Sequence, residues 1–151
     1  MVNSNPQAMQ LALHEARLAA TRNEVPVGAV IFDGHGHLLS SAGNRTIELH
    51  DPTAHAEILA IRAAAAMRGS ERLVDCVMYV TLEPCAMCAA ALSLAKFKRV
   101  VFAAEDAKMG GVLHGPRFFE QPTCHHRPEV VSGVGERESV AMLKDFFSAR
   151  R

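Results

Sequence analysis

The chain has no excess of charge of either sign. Lys plus Arg and Asp plus Glu each number 16 in 151 residues, so the net charge is zero. That excludes indiscriminate, field-driven binding to polyanions and leaves local basic patches as the only electrostatic route to a nucleic acid. Long apolar runs are missing too. No stretch approaches the roughly 18 residues that a membrane-crossing helix requires, so no membrane partner is expected. The opening residues MVNSNPQAMQLALHEARLAATRNE are broken by His14, Glu15 and Arg17, which leaves no apolar core for a secretory signal. A cytoplasmic, reducing location is therefore expected. The four cysteines, Cys76, Cys85, Cys88 and Cys124, then read better as metal ligands or core residues than as disulfides. Internal repeats, low-complexity tracts and linkers are also lacking, and the length suits one domain over 1–151 with a core of its own.

What is present alternates helix and strand. Met9, Leu13, Ala16 and Ala20 form one stripe of an amphipathic helix over 6–22. VPVGAVIFD (25–33) and HLLSSAG (37–43) flank Gly34-His35-Gly36 as a hairpin. A helix is predicted from near Asp51-Pro52-Thr53 to Arg68, on the strength of a capping residue followed by proline. CVMYVTL (76–82) reads as a buried strand, residues 84–96 as a small-residue helix opened by Pro84, and RVVFAA (99–104) as another strand. Residues 105–128, rich in Gly, Pro and His, are too long for an ordinary connection, so they hold short elements or serve function. A further strand and an amphipathic helix over 136–150 complete an α/β layer structure with helices on both faces of a mixed sheet.

Two short patterns carry chemistry: His55-Ala56-Glu57 and Pro84-Cys85-Ala86-Met87-Cys88. H-x-E arises in roughly half of all shuffles of this composition and means little alone, whereas P-C-x-x-C arises in about one in two hundred. Both patterns fall at the start of a predicted helix. Cys85 and Cys88, three apart, share a helical face. His55 and Glu57, two apart, converge only if a metal sits beyond the helix's N-terminal end. Two helix N-termini aimed at two thiolates favour metal binding. One His and two Cys make three ligands, and three leave a tetrahedral position for water, the mark of a catalytic zinc site. Two thiolates cancel the formal charge of the zinc, so its water needs a nearby carboxylate to take the proton, and Glu57 is placed for that.

At these residues the chain resembles the zinc-dependent cytidine and adenosine deaminases, the family whose H-x-E…P-C-x-x-C pattern is itself a standard example of the chemistry. Within that family, DPTAHAEILAIR, YVTLEPCAMCAAAL, RVVFAAEDAK, LKDFFSARR, EVPVGAV and GNR are similar to the bacterial tRNA adenosine deaminases over nearly the whole chain. The resemblance implies a cytidine-deaminase-like three-layer α/β/α fold with a five-stranded mixed sheet, a homodimer, and one zinc per chain on His55, Cys85 and Cys88. It further implies Glu57 as the proton shuttle, Asn44 on the target nucleotide and Asp106, with Lys108 close by, on the flanking one. The implied activity is hydrolytic deamination of adenosine to inosine at the wobble position of a tRNA anticodon stem-loop. Residues 109–130 depart from the better-known members.

Plainer readings stand beside these. Asn44 can serve a turn and Asp106 can cap one, while Lys108 can be merely solvated. Phe118-Phe119 and Phe146-Phe147 are more often core than base-stacking platforms. Cys124-His125-His126 read as an ordinary loop, and no role can be derived for Glu83. Two rival functions remain. One is a deaminase of a free base or nucleoside, which would not need Asn44, Asp106, Lys108 and the Arg150-Arg151 pair in combination. The other is a non-catalytic zinc module closed by a fourth ligand from Cys124, His125 or His126.

Overall fold

Asn5 starts the first helix. Its side-chain oxygen accepts the N–H groups of Gln7 and Ala8, and Pro6 follows with a φ already suited to a helix. The structure is a computed structural model and describes residues 5–150, so Arg151 of the terminal basic pair lies outside the described residues. In chain order the elements are α1 (Pro6–Thr21), β1 (Gly28–Phe32), β2 (Leu38–Gly43), α2 (Ala56–Arg68), β3 (Val77–Leu82), α3 (Ala86–Leu94), β4 (Arg99–Ala104), a single 3₁₀ turn (Phe118–Glu120), β5 (Glu129–Ser132) and α4 (Glu136–Ser148).

The strands form one mixed sheet in the order β2-β1-β3-β4-β5. β1 pairs antiparallel with β2 and with β3, while β3–β4 and β4–β5 are parallel. Alternate residues of each strand face opposite layers. Ile31, Met78, Val80, Val100 and Phe102 point toward α2 and α3, where they join Ala60, Ala64, Leu92 and Phe97 in one cluster. Val30, Tyr79, Val101 and Ala103 point toward α1 and pack with Ala8, Met9, Ala12 and Leu13, with Met142 of α4 alongside. This is the expected three-layer α/β/α arrangement. Phe97 and Phe102 are fully buried, and each contributes about 1.5–3 kcal/mol through burial.

One boundary differs from the sequence expectation. The chain at Asp51-Pro52-Thr53 makes a local turn, with Asp51 Oδ1 accepting the N–H and hydroxyl of Thr53, and α2 begins only at Ala56. The side chain that serves its first turn is that of Asn44, which accepts the Ala56 N–H at 2.8 Å. A cap supplied from another loop has no local sequence signal.

The register places the site. Gly28 pairs with Gly43 and Leu82 with Ala104, so the start of β1 and the ends of β2, β3 and β4 lie at one end of the sheet. Asn44, Pro84-Cys85 and Glu105-Asp106 leave the sheet there, outside the carboxyl ends of the parallel strands, where α/β sheets bind ligands.

Candidate active site

His55 and Cys85 occupy equivalent positions. Each is the extended residue immediately before a helix, with φ, ψ of −71°, 152° for His55 ahead of α2 and −71°, 175° for Cys85 ahead of α3. Both ligands thus sit just outside the first turn rather than within it. Glu57 and Cys88 follow inside the two helices. This resolves the spacing problem of H-x-E: an extended residue and a helical one project to a common point that two helical residues two apart cannot reach.

The ligand atoms converge. Nδ1 of His55 lies 3.7 Å from Cys85 Sγ and 3.5 Å from Cys88 Sγ, and the three donor atoms lie within 4.8 Å of one another. A tetrahedral zinc with bonds of about 2.3 Å to sulfur and about 2.0–2.1 Å to nitrogen holds such atoms about 3.6 Å apart. The residues therefore fit one zinc ion, with Nδ1 as the imidazole donor. Among the described residues no fourth His, Cys or carboxylate joins this group, which is the ligand count of a catalytic site.

The electrostatics point the same way. The hydrogen bond from Cys88 pulls the Cys85 thiol down to about 4, against burial and with further help from His55. Cys88 is driven far above the ordinary thiol range by its contact with the Cys85 thiolate and by burial. His55 is raised, chiefly by its hydrogen bond to Cys85. A divalent metal bound between these sulfurs would deprotonate both thiols. Glu57 is 4% exposed, and burial pushes its carboxyl up to about 7 against the pull of its own backbone N–H and of His55. A buried carboxyl that titrates near neutrality beside a metal cage can both accept and return a proton.

Asn44, Asp106 and Lys108 lie at this same end of the sheet. Asn44 is held three ways: its N–H donates to the Val27 carbonyl, its own carbonyl accepts from Arg22 Nη2, and Oδ1 accepts from Ala56. Asp106 Oδ1 accepts the N–H groups of Lys108 and Met109 at 3.1 and 3.0 Å, so it does cap the turn of the plainer reading. Lys108 is exposed. Arg150 is turned back on its own helix, where Nη1 donates to the Phe146 carbonyl, Nη2 donates to Asn23, and the guanidinium lies 3.4 Å over the Phe146 ring.

Cys124-His125-His126 is a structural loop. Cys124 Sγ lies 3.5 Å from Ser93 Oγ and donates to the His126 carbonyl, and His126 Nε2 lies 2.6 Å from the Phe97 carbonyl. Ser93 is eight residues beyond Cys85, about 12 Å along the helix axis, so these groups cannot close the metal site. Phe119 is buried in the core and Phe118 packs against it, whereas Phe146 is buried and Phe147 half exposed.

Two buried acids escaped sequence reasoning. Glu24, 1% exposed, accepts from Thr46 Oγ1 and from the N–H groups of Ile47 and Glu48, and so fixes the loop that follows Asn44. Glu83, 3% exposed, accepts four backbone N–H groups from the loop after β4. The only sequence hint was an acid at the end of an apolar strand, directly ahead of Pro84-Cys85.

Comparison with known proteins agrees with this geometry. Residues 2–104 match the family described as the cytidine and deoxycytidylate deaminase zinc-binding region. The tRNA-specific adenosine deaminase of Agrobacterium fabrum is 54% identical over 144 residues, covering 95% of this chain and 93% of that protein. A solved structure from work on A-to-I editing by tRNA:A34 deaminases at the wobble position is 53% identical, with a TM-score of 0.90 over 92% of this chain and all of that one. A guanine deaminase from Nitrosomonas europaea, 21% identical with a TM-score of 0.83 over 98% of this chain and 87% of its own, shares the fold.

Proposed function

The chain belongs to the cytidine and deoxycytidylate deaminase family of zinc-binding enzymes, and on that footing we propose that it converts adenosine to inosine at the wobble position of transfer RNA. The reading rests on near-full-length identity with a tRNA-specific adenosine deaminase in a chain whose three convergent ligands sit beside a buried carboxyl. His55, Cys85 and Cys88 are the proposed zinc ligands and Glu57 the proposed catalytic residue. Zinc bound there supplies Lewis acidity toward a water molecule. Glu57 accepts the proton that water gives up as its oxygen bonds to C6 of a flipped-out adenine. It passes that proton to the ring nitrogen, then takes the second proton from the oxygen now on C6 and gives it to the amino group, so that C6=O forms, the C6–N bond breaks and ammonia leaves. Asn44, through its amide N–H₂, and Asp106 with Lys108 are the proposed contacts to the target nucleotide and its neighbour.

An anticodon loop suits this site because its bases are already unpaired and can be splayed into a pocket at little cost. With a net charge of zero, affinity comes from a few local phosphate contacts. The salt dependence of stem-loop binding is expected to correspond to on the order of two to four phosphates, and Lys108→Ala should lower it. Arg150 is exposed but Nη1 and Nη2 each already donate within the chain, so Arg150→Ala should lower it only slightly. The deciding assay measures ammonia release from a wobble-adenosine stem-loop, the same loop carrying cytidine, and free adenosine, cytidine and guanine. Efficient turnover of a free base or nucleoside with the stem-loop ignored would replace this reading with that of a small-molecule deaminase.

The working unit is proposed to be a cytoplasmic homodimer. Ile47 and Met109 are 65% and 69% exposed, on the loops after β2 and β4 that also carry Asn44 and Asp106. Exposed apolar side chains on the loops that flank a site suit an interaction surface. Among the described residues no helix is long and apolar enough to cross a membrane. Sedimentation is expected to show a dimer at micromolar concentration, and a monomer there would remove the reason to expect RNA contacts from two subunits.

A further inference from the structure

We infer that Glu83 is the positioning residue for the substrate-facing wall of the site: its buried carboxylate gathers the N–H groups of residues 106–114 and thereby sets Asp106 and Lys108 beside the metal-ligand motif. The inference deepens the proposed RNA reading and rests on it.

The side chain of Glu83 is fully enclosed. Oε1 accepts the Asp106 N–H at 3.0 Å and lies 2.8 Å from His114 Nδ1. Oε2 accepts the N–H groups of Val112, Leu113 and His114 at 3.1, 2.9 and 3.1 Å. These donors come from both ends of one loop, so a single carboxylate closes it. Bonds to an ionised acceptor are the strong ones. A buried carboxylate is tolerated only when saturated in this way, and a well-packed apolar residue would fill the same space at less cost. The presence of an acid here is thus explained by what it holds.

The clamp is tied directly to the catalytic motif. Glu83 precedes Pro84-Cys85, its own N–H donates to the Ala104 carbonyl, and the Gly111 N–H donates to the Pro84 carbonyl at 2.8 Å. The two adjacent glycines permit the approach: a Cβ on Gly110 would lie 2.3 Å from Glu83 Oε2, and one on Gly111 would lie 2.4 Å from the Ala86 nitrogen. Since Asp106 Oδ1 is bound by Lys108 and Met109, the Asp106 turn takes its orientation from the clamp.

Glu83→Gln turns an amide N–H₂ toward the donors that now meet Oε1. The variant is expected to hold one zinc per chain. The amides of Asp106, Val112, Leu113 and His114 should exchange hydrogen at least about tenfold faster, while those of α2 are unchanged. KM for the wobble-adenosine stem-loop should rise about tenfold with kcat within about threefold. Unchanged exchange at those four amides, or a lower kcat with KM unmoved, would overturn the inference. If Glu83→Gln does not fold, His114→Ala removes only the ring contact and should accelerate exchange at the same amides to a smaller degree; no acceleration there also overturns it. Wild-type turnover of free nucleosides in place of the stem-loop would refute the RNA reading, while the exchange measurement still decides the clamp.

Discussion

Glu57→Gln is expected to keep one zinc per chain and to lower deamination by at least about 10²-fold, the smaller end of what a positioned acid–base group supplies. Gln has the same length and branching, so the buried slot at the start of α2 stays filled and Ala56 keeps its bond to Asn44. What disappears is the proton acceptor. The carboxyl is poised for that role because burial brings it up to about 7, and a bound dication pulls in the opposite direction. An amide cannot take a proton from the attacking water or hand one to the leaving amino group. Zinc content by elemental analysis and ammonia release in single turnovers separate the two properties. Near-normal turnover with zinc bound would mean that another group moves the proton.

The residues that sequence reasoning found are those whose work is local. Cys85 and Cys88 announce themselves because two cysteines three apart at the start of a helix have few other uses where disulfides are not expected, and short apolar runs bounded by turn residues placed β1 through β4. The failures share one cause. The start of α2 was misplaced because its cap comes from Asn44, twelve residues upstream, while Asp51, which looks like a cap, spends its carboxylate on Thr53. Glu24 and Glu83 stayed mute because their partners are backbone N–H groups of other segments, which carry no side-chain signal. Gly110-Gly111 looked like loop composition, yet their missing Cβ atoms let residues 105–115 lie against Cys85 and Ala86. The ring and carbonyl partners of Arg150 also lack a sequence signal, because they depend on how α4 ends.

The buried acids also explain how loops can carry a precise site. Asn44 and Asp106 stand on connections, and connections are ordinarily the mobile part of a domain. Here Glu24 fixes the loop after β2 and Glu83 fixes the loop after β4. Each replaces backbone-to-water hydrogen bonds with bonds to an enclosed carboxylate. The site therefore meets its substrate with little ordering left to do, which raises affinity without added contact area.

Removal of a proposed metal ligand has the other large expected effect. Cys88→Ser should weaken zinc binding by at least about 100-fold, beyond the 10–100-fold typical of losing an outer partner of a ligand, and should lower the melting temperature. Cys88 is fully buried at the first turn of α3, in contact with Glu57 and Cys85. Without zinc, a thiolate, an imidazole and a carboxyl remain crowded at two helix N-termini with no cation to join them. Zinc binding is thus coupled to folding, but the two apolar layers are built from side chains other than the ligands, so partial rather than complete unfolding is expected. Chelation of the wild-type protein should reproduce the loss of activity and the shift in melting. Cys124→Ser is the control. Its sulfur contacts Ser93 and the His126 carbonyl, and Ser93 lies eight residues beyond Cys85 and five beyond Cys88, so zinc and activity should both persist. Full zinc occupancy and turnover in Cys88→Ser would sink the ligand assignment. Loss of zinc in Cys124→Ser would instead revive a closed, four-ligand site, and with it a zinc module that binds without catalysis.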